Sequence, residues 1–245
     1  KYYFIYSSWQ NHELCYATSD LPDRDFVFGG TIVSNGDVGY HGRSEKDRLN
    51  MTGTTHGSIE CINGQWYVFY HRLTHKSDYS RQACAEPITI LPDGSIPQVE
   101  ITSCGLNGKP LHGTGTYPAV IACNITNGHM PHGSNKIYTD SFPNATHCGE
   151  DRFIGEIQDG TMLGYKYFAF SGAKEIGVQY RGSCNGKFVV SDNMDGKNIV
   201  AEIPVAPADA WTESRAPLHI SDGTHPLYLF YRGDGEAAVK ELYLA

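Results

Sequence analysis

Turn dipeptides punctuate this chain from one end to the other: Asn35-Gly36, Asn63-Gly64, Asp93-Gly94, Asp159-Gly160, Asn185-Gly186, Asp195-Gly196 and Asp222-Gly223. Asn-Gly and Asp-Gly readily place two successive residues at positive φ, the geometry that closes a tight hairpin. A chain interrupted this often has room only for short elements. Between the turns lie runs rich in aromatic and β-branched residues, and helical spacing of apolar residues is almost absent. The sequence therefore predicts an all-β fold.

Within residues 1–112 the runs fall into two sets. Strands are expected at 2–7, 13–19 and 31–34, followed by a long Gly- and charge-rich loop over 37–55. A second set is expected at 57–62, 65–72, 80–90 and 96–102. Tyr2-Tyr3-Phe4-Ile5-Tyr6 matches Trp66-Tyr67-Val68-Phe69-Tyr70, and 13–19 matches the strand near 80–86. A weak internal repeat of four-stranded units points to a β-propeller, here a partial one whose first unit lacks its first strand. The chain also opens in what reads as the middle of a strand, as a fragment would. A Gly/Pro-rich link over about 105–118 then separates a second domain, 117–245. Its expected strands, 162–170, 173–181, 187–191, 198–204 and 227–232, are spaced as in a β-sandwich of the jelly-roll kind.

Charge and composition narrow the function. With 245 residues and a formal net charge of −8, the chain lacks the clustered Lys and Arg that a nucleic-acid partner requires. No run of about 18 apolar residues is present, so no helical membrane span is expected. An uncharged sugar is compatible with this balance. Seven cysteines form no CxxC pair and read as buried thiols, although Cys84 and Cys104 could pair across neighbouring strands. The sequons at Asn50, Asn124 and Asn144 recur too often by chance to carry weight.

Several residues are placed to do chemistry. In Thr55-His56-Gly57-Ser58-Ile59 a long loop enters the first strand of a propeller unit, and the innermost strand of such a unit lines the central channel. His56 is thereby placed to meet a metal, a water or substrate; the structural alternative is a histidine bonded to a nearby backbone carbonyl. Arg81, near the start of the third strand, could pair with a buried carboxylate and tune its pKa, or form an exposed edge-strand ion pair. Arg72 and Glu86 read as structural. Trp9 and His12 fall in a turn that borders a cleft or caps a sheet. In the second domain, Trp211, expected in a loop, and Tyr165 are candidate platforms for stacking on sugar rings, against core packing. Glycoside hydrolysis needs two carboxyl groups flanking the bond, and no pair of Asp or Glu in this chain has a defensible placement.

Taken together, these segments resemble glycoside hydrolase family 43. The likeness rests on Lys1-Tyr2-Tyr3-Phe4-Ile5-Tyr6-Ser7-Ser8, on Thr55-His56-Gly57-Ser58-Ile59 followed by Trp66-Tyr67-Val68-Phe69-Tyr70-His71-Arg72, and on Ser80-Arg81-Gln82-Ala83-Cys84-Ala85-Glu86-Pro87. It implies a five-bladed propeller and an inverting hydrolase of the α-L-arabinofuranosidase or β-xylosidase type. It also implies that the general acid and two catalytic Asp lie upstream of this chain. A histidine like His56 then sits at the central channel close to a calcium ion, and an arginine like Arg81 lines the pocket. The partner implied is a plant cell-wall oligo- or polysaccharide containing arabinose or xylose. Residues from about 117 onward are similar to a family 6 carbohydrate-binding module, through Gly160-Thr161-Met162-Leu163-Gly164-Tyr165, Tyr180-Arg181-Gly182, Trp211 and His225-Pro226-Leu227-Tyr228-Leu229. The usual Asn near the last strand is replaced within 235–239, which implies a degenerate sugar cleft. The competing reading is a non-catalytic carbohydrate-binding protein that works through the sandwich.

Overall fold

In the computed structural model, which describes residues 1–133 and 137–245, the chain divides into two compact units. One comprises Lys1–Ile101 with His129–Tyr138, the other Thr102–Gly128 with Thr139–Ala245. The second unit thus starts at Thr102 rather than at 117. The Gly/Pro-rich stretch expected to be a link instead supplies paired strands, because its free backbone groups find ladder partners.

The first unit holds two antiparallel sheets whose strands pair in sequence order. Strands β1 (Tyr2–Ser7), β2 (Glu13–Ser19) and β3 (Val27–Ser34) make one, and β4 (Ser58–Ile62), β5 (Gln65–Leu73) and β6 (Arg81–Ile88) make the other. Up-and-down sheets of this kind are the blades that the internal repeat anticipated. Asn63 and Gly64 join β4 to β5 with φ of 50° and 85°, the positive pair that a two-residue hairpin demands. The expected fourth strand at 96–102 does not form. Pro97 has no N–H to give a ladder, and the flanking donors go elsewhere: Ile96 N to Tyr16 Oη (2.9 Å), Val99 N to Ile32 O (2.8 Å) and Ile101 N to Asp37 Oδ1 (2.8 Å). The segment is therefore bonded to residues of the first set, not to its own.

Leu14, Tyr16, Ile32, Val33, Val68, Tyr70 and Ile88 are buried in this unit. Each fully buried aliphatic or aromatic side chain contributes about 1.5–3 kcal/mol relative to exposure. Arg72 and Glu86 are buried with them, as structural residues. Arg72 grips Gln82 Oε1 through Nε and Nη2, and Glu86 accepts from Tyr70 Oη.

The second unit is a β-sandwich. Its strands are β7 (Leu111–His112), β8 (Gly115–Pro118), β9 (Asn124–Thr126), β10 (Asn144–Cys148), β11 (Asp151–Ile157), β12 (Met162–Phe170), β13 (Glu175–Gly182), β14 (Asn185–Ser191), β15 (Ile199–Val205), β16 (Ala208–Pro217), β17 (Gly223–Asp234) and β18 (Ala237–Leu244). One sheet runs β10-β11-β18-β13-β16 with β8 on β18; the other runs β15-β14-β17-β12-β7 with β9 on β12. Ile154, Val178, Val239 and Leu242 of the first sheet, and Leu163, Phe168, Phe188, Val190 and Leu229 of the second, belong to one buried core. Asn185-Gly186, expected as a turn, lies inside β14 opposite Asp234 and Gly233. The glycine serves close approach there, since a Cβ would lie 2.2 Å from the Arg232 carbonyl oxygen.

All seven cysteines are free, so Cys84 and Cys104 are not paired. The sequon residues Asn50, Asn124 and Asn144 are buried. Among the described residues no helix is long and apolar enough to cross a membrane.

Candidate functional site

The hairpin of β4 and β5 sets the geometry around His56. Ser58 lies opposite Phe69, and two residues further out along the antiparallel register position 56 comes opposite position 71. Both side chains then share one side of the sheet, since direction alternates with period two. The chain reaches this register because residue 57 is glycine: a Cβ there would stand 1.8 Å from the Phe69 carbonyl oxygen. Any other residue would push the His56 segment off β5.

The backbone beneath is pinned by side chains. Thr55 Oγ1 donates to His71 O (3.1 Å), and Asn35 Nδ2 donates to His71 O (3.2 Å) and Thr54 O (3.4 Å). Ser7 Oγ donates to Thr55 O. Above this floor, His56 Nδ1 and His71 Nε2 are 3.1 Å apart and share a hydrogen bond, with ring centroids 5.4 Å apart and planes inclined by 33°. His56 is exposed and His71 half-buried. Burial, reinforced by the Arg81 charge and by His56, lowers the pKa of His71 to about 4, so its ring is neutral at ordinary pH.

Arg81, exposed at the start of β6, donates from Nε to the Asp78 carbonyl oxygen (3.4 Å). Among the described residues it has no carboxylate partner, so neither a buried ion pair nor an edge-strand one forms. His56, His71 and Arg81 together make a donor-rich corner that carries the Arg81 charge. His71 was missed in the sequence, where it reads as one more strand residue. The signal was nevertheless there: a two-residue Asn-Gly hairpin fixes the pairing, and counting outward from it places 56 against 71.

Calcium takes six to eight oxygen ligands. Among the described residues no group of three or more His, Cys, Asp or Glu could hold a metal ion, and the neighbour of His56 Nδ1 is a ring nitrogen. The described residues therefore supply no carboxylate or imidazole set of their own for the calcium that the resemblance implied.

Trp9 is exposed, while His12 is buried, with Nδ1 against Ser34 Oγ at 2.9 Å. Burial lowers the His12 pKa. His12 is thus part of the interior and does not border a cleft.

In the sandwich, the two aromatic candidates fare differently. Tyr165 is 0% exposed and its Oη donates to Ala119 O (3.2 Å); a ring inside the core presents no face to a sugar. Its place on β12 obeys strand alternation, which sequence alone leaves open between two faces. Trp211 lies in strand β16 rather than a loop. The Arg181 guanidinium covers its ring at 4.4 Å, Phe153 meets it edge-on at 5.5 Å, and Nε1 donates to Asp151 Oδ2 (3.1 Å). Lys240 Nζ holds the other Asp151 oxygen at 2.7 Å. These two hydrogen bonds, Lys240 first, keep the Asp151 carboxyl below its ordinary pKa. One face of the indole is therefore already taken by a cation.

No protein-family model matches the chain. A xylosidase/arabinosidase of Thermoclostridium stercorarium is 44% identical over 257 residues, covering 99% of this chain and 53% of that protein. A xylosidase/arabinosidase of Bacteroides ovatus is 39% identical over 71 residues, 29% of this chain and 18% of that protein. Among solved structures, a glycoside hydrolase family 43 arabinoxylan arabinofuranohydrolase from Bacillus subtilis, in complex with cellotetraose, superimposes with a TM-score of 0.50 at 18% identity, covering 99% of this chain and 51% of that one. The chain is thus a homologue of a xylosidase/arabinosidase along nearly its whole length. Its all-β fold is shared with a family 43 hydrolase, and it spans about half the length of these two proteins.

Proposed function

We propose that these 245 residues are part of a glycosidase that hydrolyses O-glycosidic bonds in arabinose- or xylose-containing plant polysaccharide, with inversion at the anomeric carbon. The observation that carries this reading is the 44% identity to a xylosidase/arabinosidase across 99% of the chain. Inversion requires one carboxylic acid to protonate the leaving oxygen and one carboxylate to activate water, about 6.5–9.5 Å apart. The corner of His56, His71 and Arg81 holds donors and a positive charge but no such pair, so the reading assigns the carboxylates to polypeptide outside these residues. Donors and a fixed cation suit the remaining task, which is to bind sugar hydroxyls and to hold a nearby carboxylate ionised.

The test compares this chain with the longer polypeptide on aryl α-L-arabinofuranoside and aryl β-D-xyloside. Turnover is expected only from the longer form, with the inverted anomer as first product by NMR. Turnover by the 245-residue chain would overturn the placement of the carboxylates, and inactivity of both on pentosides would overturn the reading itself.

A further inference from the structure

One hydrogen bond joins His56 Nδ1 to His71 Nε2, and a single proton lies in it. Two arrangements are possible. In one, His56 donates from Nδ1, and neutral His71 then carries its own proton on Nδ1. In the other, His71 donates from Nε2, its Nδ1 is a bare lone pair, and neutral His56 carries its proton on Nε2. The surroundings of His71 Nδ1 separate them. That atom is shut off from solvent and meets no hydrogen-bond partner among the described residues. Buried N–H groups left without an acceptor are rarer than buried acceptors left short of a donor, so the first arrangement strands the worse group.

We propose that His71 is a positioning residue that locks His56 in the tautomer protonated on Nε2, so that His56 offers an N–H donor to an oxygen of a bound sugar rather than a lone pair to a metal ion. The tautomer assignment stands on the geometry alone; only the ligand class rests on the glycosidase reading. A histidine ligates a metal through a bare nitrogen, which this tautomer does not offer at Nε2.

The experiment is long-range nitrogen–proton NMR on the uniformly ¹⁵N-labelled chain at neutral pH, with His56 signals identified by their loss in His56→Gln. The expected result is a protonated Nε2 and a bare Nδ1 on His56, with a scalar coupling across the hydrogen bond to His71 Nε2. A bare Nε2 on His56, or a protonated Nδ1 on His71, would overturn the proposal. Calcium chloride added alone should leave the His56 Nε2 signal in place; a calcium-dependent shift of that nitrogen counts against it. In His71→Gln the coupling should vanish and the His56 tautomer signals should lose their single-form character, whereas a purely structural His71 would leave them unchanged. None of these readouts depends on turnover. Inactivity of the longer polypeptide on pentosides together with a protonated His56 Nε2 would sink the functional reading and keep the lock, and the converse result would do the opposite.

Discussion

Tyr165 shows what a single buried hydroxyl does in this protein. Its Oη donates to the Ala119 carbonyl from inside the core, so Tyr165→Phe removes that bond, while the carbonyl keeps the Ala122 N–H (3.0 Å). A loss of about 1 kcal/mol is expected, read as a lower urea midpoint at unchanged slope, with binding to xylan unaffected. Reduced xylan binding at unchanged stability would instead restore Tyr165 as a sugar platform. Histidines give a second expectation, with a defined sign. His12 and His71 both have folded-state pKa values below the usual 6.5, and that of His71 is about 4. Above pH 6.5 both states are neutral and nothing is lost. Below it the unfolded chain takes up protons that the folded chain refuses, so stability falls with pH. For His71 the loss levels off near pH 4. Urea midpoints should drop between pH 7 and pH 5, and the drop should be smaller in His71→Gln; an equal drop in the variant would remove His71 from the account. At this scale local motifs in the sequence offer His56 and Arg81 as candidates, but they carry no information on burial. Tyr165 and His12 became interior residues through packing with distant parts of the chain.

Strands were legible where their own residues alternate or cluster, and illegible where a neighbour imposes them. β1 and β12 match their expected spans because aromatic residues dominate them, and β2 also matches its expected span. β18 reads Ala-Ala-Val-Lys-Glu-Leu-Tyr-Leu, a mixture that suits a helix as well as a strand, and becomes a strand because β11 and β13 pair on either side of it. β16 shows little alternation, having Ala216 as its one buried residue, and is held by β13. The β1–β3 sheet supplies the expectation at this scale. Phe4 and Phe28 both face Ala17 across the ladders, and they are 57% and 63% exposed. The Phe4 ring stacks on Tyr6 at 5.5 Å and meets Phe26 edge-on at 6.0 Å. An apolar row beside an unpaired edge favours association. The chain should therefore form concentration-dependent oligomers in sedimentation experiments, and Phe4→Lys combined with Phe28→Lys should shift it toward monomer while the melting transition stays in place. A monomeric wild-type chain at high concentration would end this expectation.

At the scale of the whole molecule, the discontinuous first unit matters most. Residues His129–Tyr138 follow a stretch that belongs to the second unit, yet they are part of the first. Nothing in their composition signals this, because the bonds that hold them come from residues far away in the chain. Arg48 Nε donates to Met130 O (2.9 Å), Thr52 Oγ1 shares a hydrogen bond with His132 Nδ1 (2.8 Å), and Thr52 N donates to Pro131 O (3.1 Å). Tyr138 Oη donates to Asp78 Oδ1 (3.4 Å), and burial together with the Asp78 charge raises the Tyr138 pKa to about 12. The segment thus ties down both the long loop before β4 and the turn before β6, the turn from which Arg81 starts. Arg48→Ala with His132→Ala removes two of these ties. Lost hydrogen bonds of about 1 kcal/mol each should lower the melting temperature of the first unit by several degrees, at roughly 4 °C or more per kcal/mol. Trp66 lies in β5 and Trp211 in β16, so single-tryptophan variants read the two units separately: Trp66 fluorescence should report the shift, and Trp211 fluorescence should report none. A shift seen equally by both tryptophans, or by Trp211 alone, would mean that the segment does not belong energetically to the unit that carries His56.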